Sequence, residues 1–485
     1  MRNIQSMWRA HLFDVISFKK VNFYLRTALA VFAFNTLSAS VNAANDENHS
    51  ILTLKTAVEK AQINDPWLIS NRHNQDSIES LSIASGTLPD PKVSLGLANI
   101  AADSFDFNQE AMTQFKVGVS QMFPRGNSLA FKQKQLEIIG SQFPIERKNR
   151  QARVAVAVSA LWLDAYKAQQ SIYLIEKDRT LFEQLADVAQ ASYSSAIGKT
   201  RQQDIVRAQL ELTRLDDRLN QLRLKKEMSL QRLSEWLNNG QLNDLNVNQL
   251  QLSQLSIDSR LPNIKMINQS LYTSATQANQ QMLYQLFSTH PAVQIYDKKI
   301  AASKVGEDIA KQKYKPKWSV NASYGFRDDD PTAQSRSDLF SVGISFDFPL
   351  FTGNKQDKQV QSAISETAAK KTDKWQFIRE LMAAFETQRV QLLRLNERQA
   401  LYKERLLPQM HNQAEASLTA YTNDDGDFAE VVRSKIAELN ASIDALEIDV
   451  ERQKSIIQLN YFLMKNVSEI TFDNQLSIQS LGEIQ

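Results

Sequence analysis

The sequence predicts a mixed α and β membrane fold, with long antiparallel coiled-coil helices joined to four β-strands of membrane-crossing length. Three observations predict it. The chain is an internal duplication, each half carries two alternating strands around a polar loop, and most of the remainder repeats apolar residues in steps of three and four. The duplication is clearest at Phe115 to Pro124, FKVGVSQMFP, which returns at Phe340 to Pro349 as FSVGISFDFP. Pro66 and Pro291, Pro91 and Pro316, and Lys92 and Lys317 keep the same spacing of 225 residues. A repeat of that length is a structural half copied, not a short solenoid unit.

Composition narrows the chemistry. The 485 residues carry 56 Lys and Arg against 54 Asp and Glu, so no global field points to nucleic acid or to an anionic membrane surface. There is no cysteine, which excludes disulfides, thiolate metal sites, cysteine nucleophiles and a lipidated N-terminal cysteine. The five histidines (His11, His49, His73, His290 and His411) are scattered. With no nucleophile, phosphate or metal motif, the chain is not read as an enzyme, and no cofactor or metal site is expected.

Taken in order, the chain opens with a signal-peptide pattern over 1–43. Lys19, Lys20 and Arg26 form a basic flank, Thr27 to Leu37 an apolar core, and Val41-Asn42-Ala43 a small-residue cleavage site. Cleavage near Ala43 implies export, whether translation starts at Met1 or Met7. Helical spacing from Leu52 to about Gly86 is broken at Asp65-Pro66, and Leu88-Pro89-Asp90-Pro91 ends it. The period then becomes two at Val93, Leu95 and Leu97. After an acidic loop with Asp103, Asp106 and Glu110, it resumes at Phe115, Val117 and Val119. The second half repeats this plan with Trp318 to Phe326, a loop containing Asp328, Asp329 and Asp330, and Phe340 to Phe348.

Heptad seams follow the strands in both halves. One runs Val154, Val158, Leu161, Ala165, Ala168, Ile172 and Ile175. A second begins at Ile205 and reaches Trp236 past Lys226 and Ser229, and a third runs Val432, Ile436, Leu439, Ile443, Leu446 and Val450. One helix is expected from about Ser128 to Ala191, kinked or interrupted at Pro144, with a matching disturbance at Pro408. Chain reversals are expected at Tyr193 to Lys199 and Tyr421 to Asp427, where Gly198 and Gly426 follow the tyrosines Tyr193 and Tyr421 by five residues. The domain plan is a signal peptide (1–43), a first repeat (52–240), a join (241–279) without regular helix, a second repeat (280–467) and a tail (468–485).

Four strands cannot close alone. An open sheet leaves edges unsatisfied in lipid, and membrane barrels need about eight strands or more. Three copies supply twelve. Phe340, Val342, Ile344, Phe346 and Phe348 are then expected to meet lipid, with Ser341, Gly343, Ser345 and Asp347 lining the bore.

On the duplication, the Pro91 and Pro316 strand starts, the FxVGxS…FP strands, Leu406-Leu407-Pro408 and the Tyr…Gly turns, the chain resembles the TolC-like outer-membrane efflux proteins. The resemblance runs from about Leu52 to Val467. It implies a homotrimer whose twelve-stranded barrel continues into a helical tunnel through the periplasm. It also implies a periplasmic adaptor (membrane fusion) protein and an inner-membrane pump, of the resistance-nodulation-division type, as partners. The chain would be a passive exit duct in the cell outer membrane, without catalytic residues. The family's gating acids map onto Glu430 and, in the first repeat, Asp204. A further acidic position falls on Arg433, and the nearby Asp424, Asp425 and Asp427 offer replacement charge. The same acids also suit helix N-termini. In a trimer each becomes a ring of three, and carboxylate rings favour cations. The PDPKVSLGLANI and SFDFNQE stretches are similar to members serving heavy-metal pumps, while drug efflux and type I protein secretion use the same duct. A structural coiled-coil envelope protein or adhesin without a pore is the alternative of another class.

Overall fold

The computed structural model describes residues 51–194, 201–238, 256–269, 279–423, 426–464 and 472–473, all within one compact unit, His49–Gln485. The signal-peptide reading and most of the join and tail lie outside the described residues.

The first half begins with β1 (Ile51–Leu52) and α1 (Leu54–Asn64), where the Thr53 hydroxyl accepts from the Thr56 N–H. Asp65 ends α1 and caps α2 (Pro66–Ser85), accepting from the Trp67 N–H. Pro66 takes the first helical position, where its missing N–H would have had no partner. Next come β2 (Lys92–Ala98), β3 (Gln114–Phe123), α3 (Ser128–Gly140), α4 (Phe143–Ser194) and α5 (Gln202–Leu237). The join contributes β4 (Ser256–Ile257) and β5 (Asn263–Ile264). The second half repeats the order with α6 (Gln280–Ser288), α7 (Pro291–Gln312), β6 (Lys317–Phe326), β7 (Leu339–Asp347), α8 (Gln356–Leu401), α9 (Leu407–Thr422) and α10 (Phe428–Leu463). β8 (Phe472–Asp473) follows. The starts of α2 and α7, of β2 and β6, and of β3 and β7 keep the 225-residue spacing of the sequence repeat.

Both proline disturbances occur, displaced from the prolines themselves. The break between α3 and α4 falls at Ser141 and Gln142, so the expected Ser128-to-Ala191 helix is two helices and Pro144 sits second in α4. There its ring meets no preceding helical turn. Before Pro408 the helix widens into one π-turn, Tyr402–Leu406, which absorbs the clash and the lost hydrogen bond. The join adds pairings that periodicity could not reveal, because two-residue strands have no period. β4 pairs parallel with β1 and β5 antiparallel with β8.

The seams are the core. Val154, Val158, Ala165, Ala168 and Ile175 are buried along α4, and Ile205, Ala208, Leu215, Leu219 and Leu233 along α5. In the second half Val432, Leu439, Ile443 and Val450 are buried along α10. Apart from Ala168, these positions divide into two clusters. One, around Trp162, Phe287, Phe385 and Phe462, joins both repeats. The other packs Ile175, Phe182 and Leu185 against Ile205, Leu215, Phe428 and Leu439 toward the helix turns. At 52 residues α4 is about 78 Å long, far beyond what a single globular core would cover.

Candidate functional site

The four long strands form one antiparallel sheet in the order β2-β3-β6-β7. Its register sorts side chains onto two faces. Leu95 stands opposite Val117, Val117 opposite Tyr324 and Tyr324 opposite Phe340. A second row pairs Val93 with Val119, Val119 with Ala322 and Ala322 with Val342. This face is uncovered: Leu95 is 69% exposed, Ile344 66% and Phe340 72%. A contiguous apolar face of this extent is unstable against water and marks contact with lipid or protein.

The opposite face is small and polar. Ser341 stands opposite Ser323, Gly343 opposite Asn321 and Ser345 opposite Ser319, whose hydroxyls are 2.8 Å apart. Asp347 shares this face but closes its end. Its Oδ2 accepts from Arg125 Nη2 at 2.6 Å and its Oδ1 from the Lys317 N–H at 2.9 Å. The same arginine donates through Nη1 to the carbonyls of Lys315 and Lys313. Asp347, expected from alternation as a bore residue, thus also ties three strand-to-helix connections together. At the sheet's other end Arg327 and Arg336 donate to the Ala111 and Glu110 carbonyls, holding the two polar loops together.

At the helix turns the described acids each have a local partner. Asp204 is buried in the first turn of α5, and its Oδ2 accepts from the Arg201 N–H at 2.9 Å. Asp427 is the N-cap of α10, accepting from the Ala429 N–H, and Glu430 pairs with Arg433 at 2.6 Å. Arg433, where the family pattern has an acid, therefore compensates Glu430. Gly426 has a steric reason to be glycine. A Cβ there would lie 2.5 Å from the Tyr421 backbone nitrogen. Tyr421 packs edge-on against Phe428, with centroids 5.6 Å apart. Tyr193 is exposed near the end of α4. Gly198, Asp424 and Asp425 lie outside the described residues.

Two buried polar nodes lie outside the sites the sequence predicts. Asp65 accepts from Arg150 Nε at 2.7 Å, and the guanidinium lies over the Trp67 and Trp236 rings. His290, 225 residues later, caps α7: Nδ1 accepts from the Ala292 N–H and Nε2 lies 3.0 Å from the Tyr461 carbonyl. A donor facing Nδ1 and an acceptor facing Nε2 fix the neutral Nε2–H tautomer. Burial holds this imidazole's pKa below its ordinary value. The signal for both was available, since each residue precedes a repeat-related proline.

Among the described residues no helix is long and apolar enough to cross a membrane, and no group of three or more His, Asp or Glu is placed to hold a metal ion. A sheet with one apolar face and open edges, continued by long paired helices, is the architecture of this chain. Solved structures share it. The Campylobacter jejuni CmeC outer membrane channel superposes with a TM-score of 0.67 at 13% identity, over 92% of this chain and 93% of that one. The outer-membrane channel OprN gives 0.66 at 13% identity over 84% and 89%, and CusC 0.66 at 12% identity over 84% and 91%. The fold is thus that of the TolC-like channels. No protein-family model and no curated protein sequence matches the chain.

Proposed function

We propose that the protein is the outer-membrane exit duct of a tripartite efflux system, working as a homotrimer without catalytic residues. The observation that carries this reading is the in-register apolar face across β2, β3, β6 and β7, exposed on a sheet whose two edges are open. Strands of 9 or 10 residues, as β3, β6 and β7 are, match the span of an outer-membrane barrel when tilted. Lipid tolerates no unpaired edge, so β7 of one copy meets β2 of the next and three copies close twelve strands. The small polar face then lines the bore, and the seams of α4, α5 and α10 continue it as a helical tunnel. A periplasmic adaptor and an inner-membrane pump of the resistance-nodulation-division type supply substrate and energy.

Asp424, Asp425, Asp427 and Glu430 charge the periplasmic mouth as carboxylate rings, moderated by Arg433. Heavy-metal cations are the cargo suggested by the sequence of the first strand pair. Drugs and secreted proteins are the competing cargoes. Membrane fractionation with native mass measurement tests the duct. A detergent-extracted outer-membrane trimer that conducts in planar bilayers supports it, and a soluble monomer refutes it.

A further inference from the structure

A cavity of about 440 Å³ opens where the sheet passes into the helices, lined by β3, α7, β6 and the start of α8. It lies on the polar-face side, since its Met122 stands opposite Ser319. Arg125, Lys313, Lys317 and Lys355 line it, and no carboxylate does. Arg125 is committed to Asp347. The three lysines have no ion pair among the described residues. Lys313 and Lys355 also border an adjoining groove between α7 and α8 that adds Lys358 and one carboxylate, Glu366.

The cavity also receives the N-terminus of α8, a helix of 46 residues. Its N-cap is Lys355, with no side-chain hydrogen bond to the first turn. A cation at the positive end of a helix dipole is electrostatically unfavourable unless an anion joins it. The one acid of that first turn, Asp357, accepts from the Tyr314 hydroxyl instead. Gln356 supplies an independent sign of a missing ligand. Its residue is 7% exposed, it lines the cavity, and its Oε1 has no hydrogen-bond partner. A half-turn of the amide presents an N–H in the same place. Met122, Pro124 and Ile309 give the cavity an apolar wall.

We propose that this cavity binds organic anions, with a carboxylate, sulfonate or phosphate head at Lys313, Lys355 and the Gln356 amide and an apolar body against Met122 and Ile309. On the duct reading, which the role but not the binding rests on, it is a transit site inside the bore. It would serve anionic members of the organic cargo that competes with the heavy-metal cations suggested by the sequence.

The test is calorimetric titration of the full chain in non-ionic detergent with naphthalene-2-sulfonate, using naphthalene-2-carboxamide as the neutral control. Saturable binding of the sulfonate is expected. It should weaken with salt, and weaken about tenfold or more in Lys313→Gln/Lys355→Gln, as loss of charge-assisted contacts requires. Lys371→Gln, far along α8, should bind as the unaltered chain does. If the double variant melts abnormally, Lys355→Gln alone and the salt series carry the test. Absence of saturable binding, equal binding of the carboxamide, or undiminished binding by a folded variant overturns the site. A conducting trimer that fails to bind the sulfonate overturns the site alone. A binding chain that neither trimerises nor conducts overturns the duct alone.

Discussion

Ile344→Arg separates a lipid-facing sheet from one wet on both sides. Ile344 is the sixth of nine residues in β7, opposite Val320, and 66% exposed. At about 3.4 Å per residue the strand is roughly 30 Å long, and tilted it crosses a band near 25 Å with Ile344 close to the middle. An arginine there costs about 2–4 kcal/mol per chain in a bilayer, hence about 6–12 kcal/mol for the proposed trimer. The same substitution on a water-exposed face would fall within about 0.5 kcal/mol. Ser345→Arg, one residue on and on the polar face, is the internal control. The assay is urea-dependent folding into phospholipid vesicles, read by protease protection of the barrel. Ile344→Arg should fold markedly less well than Ser345→Arg. Equal behaviour of the two would refute the assignment of faces.

Other outcomes follow from the same geometry. His290 is neutral and its folded pKa is depressed, so the unfolded chain binds the proton more readily and stability rises with pH. Its contribution is complete above about pH 6.5, its ordinary value, and is lost as pH falls below it toward the depressed one. Denaturant titrations should show that loss, and His290→Asn, which keeps the cap without the titration, should remove it. Gly426→Ala drives a methyl into the Tyr421 backbone and should cost about 1–3 kcal/mol, lowering the melting temperature as measured by circular dichroism. Neutralising Asp424, Asp425, Asp427 and Glu430 together should reduce cation preference in planar bilayers. Unchanged reversal potentials and conductance would remove the proposed rings. Asp65→Ala removes a cap worth about 1 kcal/mol and strands the Arg150 guanidinium, so chemical denaturation should show a loss of about 2–4 kcal/mol.

Much of the fold was legible because it is periodic. Strand faces at Phe340 to Phe346 and seams at Val154 to Ile175 repeat often enough for burial to follow position. What was not legible is what single side chains do at ends. Nothing in alternation says that Asp347 will be held by Arg125, 222 residues away, or that Arg433 will neutralise Glu430. The two-residue strands of the join and the π-turn before Pro408 were equally silent, since each is set by tertiary partners or by relief of a clash. The basic cavity was hidden for a related reason. Its lysines come from connections separated by some forty residues, which only the strand order brings together.

The constant spacing of the repeats has a consequence for assembly. Within one chain, β3 of the first repeat meets β6 of the second, so the chain already contains a complete example of a joint between repeats. Carried forward by one repeat, β3 becomes β7 and β6 becomes β2. The pairing of Val119 with Ala322 then becomes Ile344 with Leu97 of a second copy, and that of Ser120 with Asn321 becomes Ser345 with Gly96. In the proposed trimer, three chains of two repeats approximate six equivalent units, and the internal seam is the template for the external one. Because the chain lacks cysteine, Ser345→Cys with Gly96→Cys is a clean reporter, expected to link copies covalently in the assembled ring.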